Sequence, residues 1–171
     1  LLQLLFDVEG LSQERLTTAL RAKTNGDPLT SVGGRVATPP ESLQQLTRRT
    51  LRHPVLVDAT PADTTALLEL SLARGFDLVL ANKVPLTGQQ HAVDRLHDVA
   101  QRGQRRILHE ATVGAGLPVL DTLRKLRESG DEILSIEGCP SGTLGFLFGE
   151  LGRGEKFSEA LRRAMELGYT E

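Results

Sequence analysis

An α/β protein with a mainly parallel sheet is predicted by two features of this chain. Short apolar runs of strand length alternate with amphipathic stretches of helical period, and glycines punctuate the joins between them. Ser12 to Lys23 is expected to be a helix with Leu16, Ala19 and Leu20 inward. Asp27 to Pro40 is rich in glycine and proline and reads as a loop, and Glu41 to Thr50 reads as a shorter helix. Val55 to Thr60 is a β-branched apolar run stopped by Pro61. Ala62 to Arg74 places Ala66, Leu67, Leu70 and Ala73 on one helical face, Gly75 closes that helix, and Phe76 to Ala81 forms the next strand. This is a βαβ unit, for which a right-handed crossover is expected.

The cycle then repeats. Gln89 to Gln101 is helical, with Val93, Leu96, Val99 and Ala100 as its buried stripe and Gly103 at its end. Arg105 to His109 is strand-like. Leu117 to Glu128 is a helix with Leu120, Leu123 and Leu126 inward, ended by Ser129-Gly130. Glu132 to Glu137 alternates as a strand does, and Leu144 to Leu151 and Ser158 to Leu167 are two further helices joined by Gly152-Arg153-Gly154. The chain opens on Leu1 without a methionine and stops at Glu171 just after a helix, so it is expected to be an internal piece of something longer.

Composition excludes several classes. A net charge of -2 gives no electrostatic footprint for nucleic acid or an anionic membrane surface. No apolar run approaches the roughly 20 residues that span a bilayer. The single cysteine, Cys139, cannot form an internal disulfide, and the absence of a signal-peptide pattern adds to the expectation of a reducing, cytoplasmic setting. His53, His91, His97 and His109 have no metal-ligand spacing.

Chemistry is expected at the carboxyl ends of the parallel strands, where ligands of α/β sheets gather. Thr60-Pro61 ends one strand and Ala81-Asn82-Lys83 ends the next, so a hydroxyl, an amide and an ammonium share one rim. Lys83 is either a solvated loop lysine or a group that donates to a substrate oxygen and moves a proton, the second being favoured by burial. Glu110 to Pro118 is either a tight connection to a packed helix or a strand-to-helix passage that turns oxygens toward a hard cation. Ser141-Gly142-Thr143-Leu144 is either a simple N-cap or a carboxylate site at a helix start. Glu171 is a substrate ligand or a frayed end. Gly33-Gly34 is no dinucleotide fingerprint, since it follows a helix and lacks the G-x-G-x-x-G spacing.

Six pieces together resemble one family, homoserine dehydrogenase. They are Val57-Asp58-Ala59-Thr60-Pro61, Ala81-Asn82-Lys83, Glu110 to Pro118, Ser129-Gly130-Asp131, Ser141-Gly142-Thr143-Leu144, and Phe157-Ser158-Glu159 leading to Gly168-Tyr169-Thr170-Glu171. The resemblance implies a partial Rossmann-type domain for NAD or NADP over residues 1–108 and the start of a dimerisation and homoserine-binding domain over 109–171. It implies interconversion of homoserine and aspartate 4-semialdehyde by hydride transfer, on the way to threonine and methionine, in a homodimer. By the same resemblance Lys83 binds substrate and relays its proton, Thr60 and Asn82 lie at the cofactor, and Gly142 and Thr143 lie between cofactor and substrate. Glu171 holds the substrate amine, and Glu110 with the carbonyls of Val113, Ala115 and Leu117 holds a monovalent cation, usually sodium.

The chain departs from the family in lacking the first strand with its glycine loop and the later segment with further acidic ligands and a second lysine. His109 stands where a tyrosine is often found, and Val84 where some members have a second consecutive lysine. Taken alone, these residues are expected to be inactive. Two other readings stay open: a non-catalytic dimerisation or regulatory module, and a related dehydrogenase using Cys139 as nucleophile.

Overall fold

The structure, a computed structural model, describes residues 2–5, 7, 9–47 and 51–170. The chain divides into two compact units. One comprises Leu1–Leu56, Thr64–Asp77 and Gln90–Arg105, the other Val57–Asp63, Leu78–Gln89 and Arg106–Glu171.

In the first unit, α1 (Gln13–Thr24) starts where the Ser12 hydroxyl accepts the Arg15 N–H at 3.3 Å. Its expected inward face is not the covered one. Leu16 and Leu20 are 45% and 68% exposed, whereas Ala22 is buried, because the main neighbour of this helix is a single 3-10 turn, Leu29–Val32. The stretch read as loop also holds β2 (Arg35–Ala37), antiparallel to β1 (Leu2–Leu4) with Leu2 opposite Ala37. Gly33-Gly34 ends the 3-10 turn and leads into β2: Gly33 has φ 85°, and the Gly34 N–H donates to Leu29 O at 2.8 Å.

A capping box sets the start of α2 (Pro39–Thr47) ahead of the expected Glu41. The Thr38 N–H and hydroxyl donate to Glu41 Oε2 at 2.8 and 2.7 Å, and Pro39 follows at the first helical position, where its missing N–H costs nothing. The last expected residues of this helix, 48–50, lie outside the described residues.

Two longer helices, α3 (Thr65–Ala73) and α4 (Gln90–Arg102), pack together in this unit, joined at their surface by Arg95 Nε donating to Glu69 Oε1 at 2.7 Å. The buried face of α3 is Leu68, Ser71 and Leu72, and Ala66 and Ala73 of the expected face are exposed. Ser71 can lie inward because its hydroxyl donates to Leu67 O at 2.7 Å, which satisfies it without water. For α4 the expected stripe holds, with Leu96 and Ala100 buried and Val93 and Val99 partly so.

The sheet has the order β3 (Val55–Asp58), β4 (Asp77–Leu80), β5 (Ile107–Leu108). The bonds from Asp77 N to Pro54 O and from Ala81 N to Asp58 O advance together along both strands, as in a parallel pair. β4 and β5 are parallel as well, with Leu78 opposite Ile107. The alternation of strand and helix thus yields the expected mixed α/β arrangement with a parallel sheet. Leu78 and Leu80 are fully buried.

In the second unit, α5 (Val119–Glu128) leaves Leu120 and Leu123 half-buried and Leu126 37% exposed, so its expected inward stripe is only partly covered. The strand expected at 132–137 does not form: residues 131–140 carry no secondary structure, with Leu134 87% and Ile136 69% exposed. Alternation gives a segment two faces, but a strand also needs a neighbour to bond its N–H and C=O groups. Further on, α6 (Gly142–Gly152) and α7 (Phe157–Glu166) pack as a hairpin around Leu147, Ala160 and Ala164, flanked by Phe146 and Leu161. The buried Glu150 carboxylate accepts from Arg153 and Arg163, which supplies the partners that a buried charge requires. Among the described residues, no helix is long and apolar enough to cross a membrane.

Candidate functional site

The rim expected at the strand ends is assembled in the second unit. Asp58 ends β3 and is 4% exposed; Asn82, two residues past β4, is 3% exposed. Asp58 Oδ1 accepts the Thr60 N–H at 3.0 Å and the Thr60 hydroxyl at 2.8 Å, while Oδ2 accepts from Asn82 Nδ2 at 3.0 Å. Asn82 Nδ2 also donates to Ala62 O at 2.8 Å and approaches Thr60 Oγ1 at 3.4 Å. Thr60 and Asn82 are therefore brought together, and the Thr60 side chain lies at the exposed edge of the cluster.

Lys83 is carried on the same frame. It precedes a 3-10 turn, Val84–Leu86, whose first N–H donates to Asn82 Oδ1 at 3.0 Å. Its own side chain is exposed, so the burial that would favour a proton-moving role is not present around it. Pro85 in that turn is buried and anchors it.

Glu110 is built into a different local group. Its carboxylate reaches across the following loop to the start of α5, where Oε1 accepts the Leu120 N–H at 3.0 Å and Oε2 the Asp121 N–H at 2.8 Å. Pro118 precedes this helix and offers no side-chain cap, so Glu110 supplies from a distance the acceptors that a local Ser or Asp usually provides. Between the two, Gly114 and Ala115 are both left-handed, with φ 71° and 52°. A Cβ on Gly114 would meet Val119 Cγ2 at 2.7 Å, so glycine is required there for space as well as for φ. The Leu117 carbonyl accepts the Val119 N–H at 2.9 Å. The loop's oxygen donors, the carbonyls of Val113, Ala115 and Leu117 with Glu110, are of the type a hard cation takes. Among the described residues, no group of three His, Cys, Asp or Glu side chains could hold a metal ion.

The third group is at the start of α6. Ser141 Oγ accepts the Leu144 N–H at 3.2 Å, the expected cap, leaving the Gly142 and Thr143 N–H groups to outside partners as any first helical turn does. The Thr143 hydroxyl donates to Tyr169 O at 2.6 Å, and the Phe146 and Tyr169 rings stack with centroids 5.0 Å apart. Glu171 lies outside the described residues. Cys139 is a free, exposed thiol whose Sγ is 3.7 Å from Ser141 O.

Comparison with known proteins decides the family. Residues 9–110 match the model of the homoserine dehydrogenase NAD binding domain, and residues 118–171 match that of homoserine dehydrogenase itself. The chain belongs to the homoserine dehydrogenase family. It is 42% identical over 120 residues to the bifunctional aspartokinase/homoserine dehydrogenase of Haemophilus influenzae, covering 70% of this chain and 15% of that protein. It is 39% identical over 126 residues to the homoserine dehydrogenase of Paracoccidioides brasiliensis, covering 68% of this chain and 34% of that protein. Its fold is that of a hyperthermophilic archaeal homoserine dehydrogenase solved with NADPH (TM-score 0.70, 23% identity, 89% of this chain and 46% of that one). The chain thus spans about a third of the length of the Paracoccidioides enzyme and less of the bifunctional one.

Within this homoserine dehydrogenase segment, Asp58 is the residue that sequence reasoning passed over. The available signal was a carboxylate closing an apolar strand run, a position that calls for a partner when the side chain is buried.

Proposed function

We propose that this chain carries the central part of an NAD(P)-dependent homoserine dehydrogenase, interconverting homoserine and aspartate 4-semialdehyde. The observation that carries this reading is the hydrogen-bonded rim of Asp58, Thr60 and Asn82 at the ends of adjacent parallel strands, with Lys83 next to Asn82 in the chain, inside a match to the family's NAD binding domain. Residues 1–108 are assigned to the partial nucleotide-binding domain and 109–171 to the start of the substrate and dimerisation domain. The break between the two family matches, after 110 and before 118, supports that division.

Oxidation of an alcohol removes a hydride from carbon and a proton from oxygen. NAD or NADP, when bound, takes the hydride. Thr60 and Asn82 lie where a ligand of a parallel sheet is bound, and the Thr60 hydroxyl, which donates to Asp58 and is approached by Asn82 Nδ2 at 3.4 Å, keeps one lone pair to meet a ligand as an acceptor. Lys83 Nζ holds the substrate oxygen and, as the neutral amine, accepts its proton in oxidation and returns it in reduction, a role that needs bound substrate and cofactor to cover the side chain, which is exposed in this structure. The Gly142 and Thr143 N–H groups receive the substrate carboxylate at the positive end of α6, and Glu171 takes its amine. The hydroxyl of Thr143, already donated to Tyr169 O, serves to hold Tyr169 at that helix start.

A monovalent cation, sodium by resemblance, would be held by Glu110 and the carbonyls of Val113, Ala115 and Leu117, where its work is to brace the loop into α5. The homodimer and the cytoplasmic setting are proposed on the family resemblance, the latter also on the single cysteine.

The test is an assay of the complete protein containing this segment, with homoserine and each of NAD and NADP. Homoserine-dependent reduction of either nucleotide is expected, and Lys83→Ala is expected to lower turnover by about 10²- to 10⁴-fold. A near-wild-type rate in that variant removes Lys83 from the chemistry. Alkylation of Cys139, exposed and without a histidine partner in the sequence around it, is expected to leave the rate unchanged; loss of activity through that thiol favours the nucleophile reading instead.

A further inference from the structure

We infer that Asp58 is a positioning residue for the reaction, setting the direction of the Thr60 hydroxyl and the placement of Lys83 without touching substrate. This rests on the dehydrogenase reading of the rim, which it deepens by naming what holds the rim in register.

Asp58 bonds with both its main chain and its side chain. Its carbonyl accepts the N–H groups of Ala81 at 2.8 Å and Asn82 at 3.2 Å, tying the end of β3 to the exit of β4. Its carboxylate accepts from the Thr60 N–H, the Thr60 hydroxyl and Asn82 Nδ2. Each has a directional consequence. The Thr60 hydroxyl spends its only proton on Asp58, so it can meet a ligand only as an acceptor, through the lone pair that Asn82 Nδ2 does not approach. Asn82 must present its NH2 to Asp58 and Ala62, which leaves its Oδ1 for the Val84 N–H. That last bond fixes the residue after Lys83, while the main-chain bond to Asp58 fixes the residue before it. The lysine therefore departs from a backbone held on both sides, although its own side chain is solvent-exposed.

An asparagine at position 58 is nearly isosteric but cannot satisfy this set. If its NH2 replaces Oδ2, it meets the Asn82 NH2, and Asn82 must flip, turning its oxygen to position 58 and losing the bonds to both Ala62 and Val84. If its NH2 replaces Oδ1, it meets the Thr60 N–H, and the hydroxyl must reverse to accept. Either outcome re-aims one of the two rim groups. Burial makes the mismatch costly, since water is not at hand to take the orphaned donors.

The experiment has a geometric arm and a kinetic arm, both on the complete protein. Asp58→Asn is expected to speed hydrogen exchange of the Val84 amide, or of the Thr60 amide where its NH2 takes the Oδ1 side, at least about tenfold, and to lower kcat by about 10- to 100-fold with KM for homoserine changed less, as for mis-set groups acting in the transition state. Asp58→Ala removes the acceptors of both Thr60 and Asn82 and carries the same expectation at both amides without placing a second NH2 beside Asn82, so a failure of Asp58→Asn to fold does not remove the test. Unchanged exchange of both amides in both variants overturns the proposal, as does faster exchange with kcat and KM within twofold of wild type. A wild-type protein that does not oxidise homoserine would instead remove the dehydrogenase reading, and the Val84 exchange would still decide whether Asp58 holds the turn.

Discussion

Glu110 shows how one side chain can do a job that its sequence neighbourhood hides. Its two carboxylate oxygens take the Leu120 and Asp121 N–H groups, so α5 is capped by a residue ahead of the whole glycine loop. Glu110→Ala leaves both donors without their partner, and a loss of about 1–3 kcal/mol is expected, with a smaller loss for Glu110→Gln, which keeps one acceptor. Denaturant midpoints of the three proteins check this; equal midpoints would mean that the loop is held by other contacts. Thr60, Asn82 and Lys83 are legible in the sequence because a polar residue just past an apolar strand must lie on the rim. The Glu110 contact is not legible, since nothing in a single sequence says that a carboxylate folds back over ten intervening positions to a helix start.

At the scale of elements, the β3–α3–β4–α4–β5 succession is readable because each helix is closed by a glycine or a polar turn and β3 and β4 are dense apolar runs. The facing of α3 is not readable. Its sequence, TALLELSLA, is apolar nearly all round, so periodicity carries no phase, and Ser71 looks like an outward residue until its bond to Leu67 O is seen. β1 and β2 escape notice because strands of three residues are shorter than any pattern of alternation. The start of α2 gives a pH prediction. The Thr38 N–H first, then its hydroxyl, hold the Glu41 carboxyl below its ordinary 4.5. A lowered folded value means that the stabilisation is complete above 4.5 and is lost as the pH falls through the folded value. Exchange of the Ser42 amide, which donates to Thr38 O, is expected to quicken over that acid range in the wild type and to show no such step in Glu41→Gln. An identical profile in both proteins would show that the box does not govern this helix end.

At the scale of the whole molecule, the proposed site groups all fall in the second unit, which is itself made of three separate chain stretches. The 171 residues span 34% of one single-function relative and 46% of one solved structure of the same fold. Assayed alone they are expected to show no homoserine oxidation, while the complete protein turns over; equal activity of the two would place every essential group within this segment. The complete protein is also expected to sediment at twice its chain mass, and a monomer at working concentration would remove the homodimer. The exposed Leu134 and Ile136 are the part of the chain where composition and structure disagree most, because an alternating pattern was met with no neighbouring strand among the described residues.

The bond from Thr143 to Tyr169 joins positions 26 residues apart and closes the α6–α7 hairpin at the end away from its turn. At the turn, Arg153 to Lys156, Gly154 has φ 89°, and the Gly154 and Glu155 N–H groups donate to Leu151 O and Glu150 O at 3.0 and 3.1 Å. The hairpin is therefore a cassette latched at both ends. An insertion between Gly168 and Tyr169 would undo one latch, and one between Gly154 and Glu155 the other. A tag or reporter placed between Glu155 and Lys156 breaks neither set of bonds, and lengthening the chain there costs only about 0.6 kcal/mol per doubling of a flexible loop.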